Sequence, residues 1–136
     1  MDTFLTSNSR YVRVFYAPKY VLLCVGTNDN SMTLANWKTW ANNVISACES
    51  INATPVFFTM PPDSGAYEGQ WNSINAFIRT SGYKYVDMDK CFVDGSVDPI
   101  LSDYLYDGTH PNSETHYAIF QRILADVPEI LNLWAD

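Results

Sequence analysis

The sequence predicts an α/β domain in which a parallel sheet lies between layers of helices. Three observations carry that reading. The candidate strands are short, continuous apolar runs rather than alternating ones, as expected of strands covered on both faces. Helical patterns at three- and four-residue steps separate them. The resulting order of strand, helix, strand, helix, strand, loop and helix is that of right-handed parallel crossovers.

Taken in order, residues 1–17 are an N-terminal segment whose structure the sequence does not decide, ahead of a domain expected over 18–136. Tyr11 to Tyr16 (YVRVFY) alternates weakly and reads either as a strand or as the last turn of a helix feeding Pro18. The first clear element is the run Tyr20 to Val25, which ends at Gly26 and reads as a central strand. Leu34, Trp37, Ala41, Val44, Ile45, Cys48 and Ile51 then mark a helix with Thr33 as its N-cap. Pro55 to Met60 is a second strand, stopped by Pro61 and Pro62. A second helix carries Trp71, Ile74 and Ile78 on one face and stops at Gly82. Lys84 to Met88 is a third strand, followed by an irregular stretch to Pro111. The last helix starts near Asn112 or Ser113. Its periodicity predicts that Tyr117, Phe120, Leu124 and Val127 are buried, with Pro128 ending or kinking it.

Composition narrows the function. The net charge of −7 disfavours a nucleic-acid backbone or an anionic membrane, since both demand clustered Lys and Arg. No apolar stretch reaches the roughly 18 residues of a membrane span. The opening MDTFLTSNSR lacks a basic region followed by an apolar run, so no signal peptide is expected. That makes the cytoplasm the default location, and secretion would require a leader upstream. Cys24, Cys48 and Cys91 lie far apart without CxxC spacing, and their odd number argues against a disulfide framework. His110 and His116 have no partners at zinc-ligand spacing, so a structural metal is not expected.

Two polar clusters fall where an open parallel sheet binds ligands, beyond the carboxyl ends of its strands. Gly26-Thr27-Asn28-Asp29 follows the first strand, and Asp107-Gly108-Thr109-His110-Pro111 precedes the last helix. Each has an ordinary structural reading: Asn and Asp are common turn residues, and Asn112 or Ser113 caps a helix. Their joint occurrence is more specific. VLLCVGTND resembles the third sequence block of the SGNH (GDSL-type) hydrolases, and YDGTHPN resembles the fifth. The Pro-Pro strand end, the helix with Asn75 and Arg79, and Tyr85-Val86-Asp87 extend the resemblance over about residues 18 to 125.

The resemblance implies a three-layer, flavodoxin-like sheet of SGNH-hydrolase type, and ester hydrolysis by a Ser-His-Asp mechanism. In that reading Asn28 is an oxyanion-hole donor, a role worth about 2.7–4 kcal/mol of barrier for one such group. His110 is the general base and Asp107 the carboxylate that orients it. Gly26 turns the backbone out of the strand, and Asp29 supports the loop. His116, inside the helix, is a surface or packing residue. Thr115 stands where many relatives carry glycine.

The serine-bearing first block is not seen. Ser7 and Ser9 are the N-terminal candidates, yet fewer than twenty residues separate Ser9 from Gly26. A parallel crossover needs a dozen or more before any further strand. The sheet is therefore expected to lack its first strands, leaving 18–136 a partial domain of SGNH type, and the chain alone to turn over esters negligibly. The alternatives are a non-catalytic relative acting as a binding module and an unrelated flavodoxin-like anion binder. A glycine-rich phosphate loop, which would favour the latter, is absent from the sequence. The implied substrate is a small-molecule or carbohydrate ester, with Tyr67, Trp71 and Tyr106 as candidate sugar-stacking aromatics. The strand at 21–25, left as an edge, would be covered by a second copy in a homodimer or by Tyr11 to Tyr16, folded alongside or exchanged.

Overall fold

A computed structural model describes residues 18–26, 32–62, 68–92, 103–107 and 110–134. In chain order the elements are β1 (Tyr20–Leu23), α1 (Leu34–Glu49), β2 (Thr54–Phe58), α2 (Glu68–Thr80) and β3 (Tyr85–Val86). A short 3-10 helix (Met88–Phe92), α3 (Ser113–Asp126) and a C-terminal 3-10 helix (Pro128–Trp134) complete them. The strands form one parallel sheet in the order β1-β2-β3.

The period of two along β2 divides the core between the sheet's faces. Phe57 points into a cluster with Leu23, Trp37, Ala41, Val44, Ile74 and Ile78, which packs α1 and α2 on one face. Val56 and Phe58 point the other way, joining Val86, Met88, Phe92 and Val127 under α3. Helices therefore cover both faces, as the sequence predicts. The α1 and α2 stripes are those read from the sequence, with Trp40 an addition to the buried set. Thr33 is the N-cap of α1, its hydroxyl accepting from the Asn36 N–H at 3.2 Å.

Pro55 is accommodated in the middle strand by direction. The N–H groups of Phe57 and Thr59 point to the β3 side, where they meet the carbonyls of Lys84 and Val86. Pro55 lies two residues earlier on the same side, before β3 begins, so its missing donor costs no ladder bond. β3 itself is shorter than its apolar run. Asp87 leaves the ladder because its N–H donates to Asp126 Oδ2 at 2.8 Å and its carboxylate turns to Arg79.

β1, whose composition is that of a central strand, is an outer strand among the described residues, with Leu22 46% exposed, the edge position expected of a sheet without its first strands. One expectation is corrected. Tyr117 and Phe120 were expected in the core, yet they are 64% and 51% exposed. α3 instead turns Thr115, Ile119 and Ile123 inward, together with the Arg122–Asp126 pair whose carboxylate holds Asp87. That polar anchor sets the rotation of the helix, and an apolar stripe on its flank has no described element to meet.

Candidate functional site at the carboxyl edge of the sheet

The direction of α3 places the first site residues. Lys84, before β3, pairs with Glu129, whereas Asp87, after β3, bonds Asp126. Partner numbers fall as the strand rises, so α3 runs antiparallel to the sheet. Its N-terminal end, with the segment that leads into it, therefore belongs to the carboxyl side of the strands.

That segment is built as a tight reversal. Leu105 and Pro111 form an antiparallel bridge, the Tyr106 N–H donates to the His110 carbonyl at 2.7 Å, and the Asn112 N–H donates to the Tyr104 carbonyl at 2.9 Å. Asn112 uses its side chain twice: Oδ1 caps α3 through the Thr115 N–H at 2.9 Å, and Nδ2 donates to the Asp103 carbonyl at 2.7 Å. The helix start and the loop are thus fixed by one residue.

Asp107 and His110 meet within this frame. Asp107 Oδ2 lies 2.8 Å from His110 Nδ1, and Oδ1 accepts from the His110 backbone N–H at 2.8 Å. The imidazole is 74% exposed. With Nδ1–H directed at the carboxylate, Nε2 is an acceptor toward the open side. The arrangement leaves Nε2 as the ring atom open to exchange a proton with a ligand. Among the described residues, no serine hydrogen-bonds the His110 ring.

Gly26 closes β1 on the same side. Its φ of +121° is a conformation that L-residues avoid, and a Cβ there would lie 3.0 Å from Met60 Sδ. Asn28, Asp29, Ser7, Ser9 and Tyr67 lie outside the described residues. Of the other proposed aromatics, Trp71 is a core residue of the α1–α2 face and is not available to a ligand. Tyr106, next to Asp107, is 83% exposed. His116 is exposed.

Behind the edge stands a polar frame that the motifs alone do not reveal. The Asn75 amide is buried and grips Met60 twice, Oδ1 accepting from its N–H at 2.7 Å and Nδ2 donating to its carbonyl at 2.8 Å. Thr59 donates to Asp87 Oδ1 at 3.2 Å and accepts from the Asp89 N–H at 2.9 Å. Arg79 forks onto Asp87, with Nη2 2.7 Å from Oδ1, and also reaches Asp89. Burial pushes the Asp87 carboxyl up, but the hydrogen bonds and charge of Arg79 and Lys90 outweigh it and hold the pKa below the ordinary value. The sequence signal for this frame was present in Asn75, Arg79 and Asp87, which belong to the same extended resemblance.

A cavity of about 310 Å³ adjoins the start of α3, lined by Cys91, Asp103, Tyr104, Glu114, Thr115 and Ala118. His110 is not among its walls.

No family model and no curated protein matches this chain. In structure it is similar to a protein from Parabacteroides merdae designated a GDSL-like lipase, with a TM-score of 0.61 and 12% sequence identity. The likeness covers 91% of this chain and 68% of that one. At that identity it concerns the fold. The chain has the α/β fold of this GDSL-like protein, with parallel strands between helices.

Proposed function

We propose that this chain carries the base-and-carboxylate part of an ester hydrolase site of SGNH type. The observation that carries the proposal is the Asp107–His110 pair, held at 2.8 Å on the carboxyl side of a parallel sheet. In the proposed reaction a serine Oγ bonds to the ester carbonyl carbon as its proton passes to His110 Nε2. Asn28 donates to the oxyanion, with Gly26 and Asp29 shaping the loop that presents it. Collapse breaks the bond to the alcohol, which leaves with the proton held by His110. Water then adds to the acyl-serine, again giving a proton to Nε2. The carboxylic acid departs, and the serine recovers its proton. Asp107 holds the ring orientation through Nδ1 throughout. No metal or organic cofactor enters this scheme.

With only the described residues in place the site is incomplete, because turnover requires a hydroxyl at Nε2. The substrate is a small ester. Among the described residues, a carbohydrate O-acetyl ester rests on Tyr106, as a ring on which a sugar face can stack. The test is steady-state hydrolysis of activated acetyl esters by the 136-residue chain beside its His110→Ala and Asp107→Asn variants. Turnover that falls by roughly 10³–10⁴-fold in both supports the reading. Turnover indifferent to His110→Ala ends it. The alternative is a non-catalytic module that binds esters without cleaving them. Binding of an acetylated ligand without turnover, weakened by His110→Ala, would select that one.

A further inference from the structure

The cavity of about 310 Å³ at the start of α3 has no part in the reaction proposed above, since His110 is not among its walls. Its residues divide by exposure. Thr115 is 2% exposed, and with the half-buried Cys91, Tyr104 and Ala118 it makes the inner wall. Asp103 and Glu114 are exposed and stand at the opening. The site is thus acidic at its rim and weakly polar inside.

The Thr115 side chain points to an occupant. Its backbone N–H is taken by Asn112 Oδ1, but its hydroxyl has no hydrogen-bond partner among the described residues. Among those residues, no buried side-chain nitrogen or oxygen is closed off without a partner. The hydroxyl is therefore reached from outside, and for a residue so deeply buried the cavity it lines is the way in. A desolvated hydroxyl with no partner is unfavourable, and a ligand that supplies one gains accordingly.

The charges select the ligand. No described Lys or Arg lines the cavity, and the Arg122 guanidinium on the same helix is forked onto Asp126. An anion would meet two carboxylates and no cation. A bare metal ion is a poor fit as well, because no three His, Cys, Asp or Glu side chains among the described residues group around one point. The Cys91 thiol adds no charge, since burial pushes its pKa above the ordinary value. An organic ammonium suits the rim, where its charge stays near water and meets carboxylates that only accept. Deeper in, the Thr115 hydroxyl calls for a neutral group that both donates and accepts, as another hydroxyl does. The volume is that of a small-molecule site.

We propose that this cavity binds a small amino alcohol, with the ammonium at Asp103 and Glu114 and the ligand hydroxyl on Thr115. The site is separate from the Asp107–His110 pair, and the proposal does not rest on the esterase reading.

Amide NMR shifts of the full 136-residue chain, titrated with aminobutanol, test it. Pentylamine, in which a methyl replaces the hydroxyl, and hydroxybutyrate, which carries the opposite charge, are the comparisons. Aminobutanol is expected to shift the Cys91, Glu114 and Thr115 amides saturably. Pentylamine should bind roughly three- to tenfold more weakly, the worth of one net hydrogen bond, and hydroxybutyrate should not bind. Thr115→Val keeps the side-chain shape and the N–H bonded to Asn112, and should abolish the preference for aminobutanol over pentylamine. Ala118→Leu fills the cavity and should abolish binding of both amines, with unchanged Val56 and Ile78 amides reporting an intact core. Unsaturable shifts or equal affinities for the two amines in the wild type would overturn the proposal, as would binding of hydroxybutyrate at the same amides. Shifts that persist in a folded Ala118→Leu would reduce the effect to surface attraction by a chain of net charge −7 and also overturn it. The Thr115→Val comparison stands whether or not Ala118→Leu folds.

Discussion

One carboxylate holds His110 at two points: Asp107 Oδ2 is 2.8 Å from the ring Nδ1, and Oδ1 is 2.8 Å from the backbone N–H of the same residue. The grip fixes both the loop and the ring it presents. It predicts that neutral His110 carries its proton on Nδ1, and that Asp107→Ala releases this tautomer preference. Imidazole ¹⁵N shifts read the outcome directly, with or without a substrate. A wild-type ring protonated mainly on Nε2 would contradict the arrangement.

Asp87 predicts an acid limit to stability. Its carboxyl is held below the ordinary value in the folded state, so the unfolded chain binds the proton more readily. The contribution is present above the ordinary Asp value of about 4 and is lost as pH falls through the depressed folded value. Urea unfolding from pH 7 to pH 2 should show a steeper acid loss in the wild type than in Asp87→Asn. At pH 7 that variant should be less stable by about 1.5–3 kcal/mol, the range for a hydrogen bond to a charged group. Equal slopes would show that Asp87 is not the group responsible.

Gly26→Ala is expected to destabilise the fold by about 1–3 kcal/mol, the cost of a side chain at a backbone conformation suited to glycine. Met60 Sδ would lie 3.0 Å from the added methyl and must give by a few tenths of an ångström. A midpoint of urea unfolding unchanged from the wild type would rule out the positive φ at this position.

The two aromatics of α3 offer a contrast with the core. Phe120→Ser should move stability by no more than about 0.5 kcal/mol, as for other exposed positions. Phe92→Ala, in the cluster beneath the helix, should cost about 3–5 kcal/mol. Comparable losses at both sites would mean that Phe120 is covered in solution.

Much of this layout was legible before any coordinates. The α1 and α2 stripes, the Thr33 cap and the Gly82 stop came from periodicity and capping chemistry, which are local properties. Asp107 and His110 were legible through the resemblance of YDGTHPN to the D-x-x-H-P block, and three-residue spacing in a short reversal lets the two side chains meet. α3 was misread because its rotation follows the Asp126–Asp87 hydrogen bond, a contact across 39 residues that no window on the helix contains. Trp71 had two readings, on the apolar stripe of α2 and as a stacking ring, and its burial decides for the stripe. The outer position of β1 was invisible in its composition, which is that of a strand covered on both faces.

The double grip of Asn75 on Met60 has a consequence for how the domain can vary. A side-chain amide has the same donor and acceptor as a peptide unit, so at the end of β2 the ladder passes to a helix. The chain between Met60 and Asn75 is thereby tied at its base into a non-covalent ring. Length added between Pro62 and Glu68 enlarges the ring without moving its closure, and loop-closure entropy rises only slowly with such growth. This places the tolerance for insertion beside the carboxyl edge, where a longer loop could reshape what the site admits while the sheet behind it stays fixed.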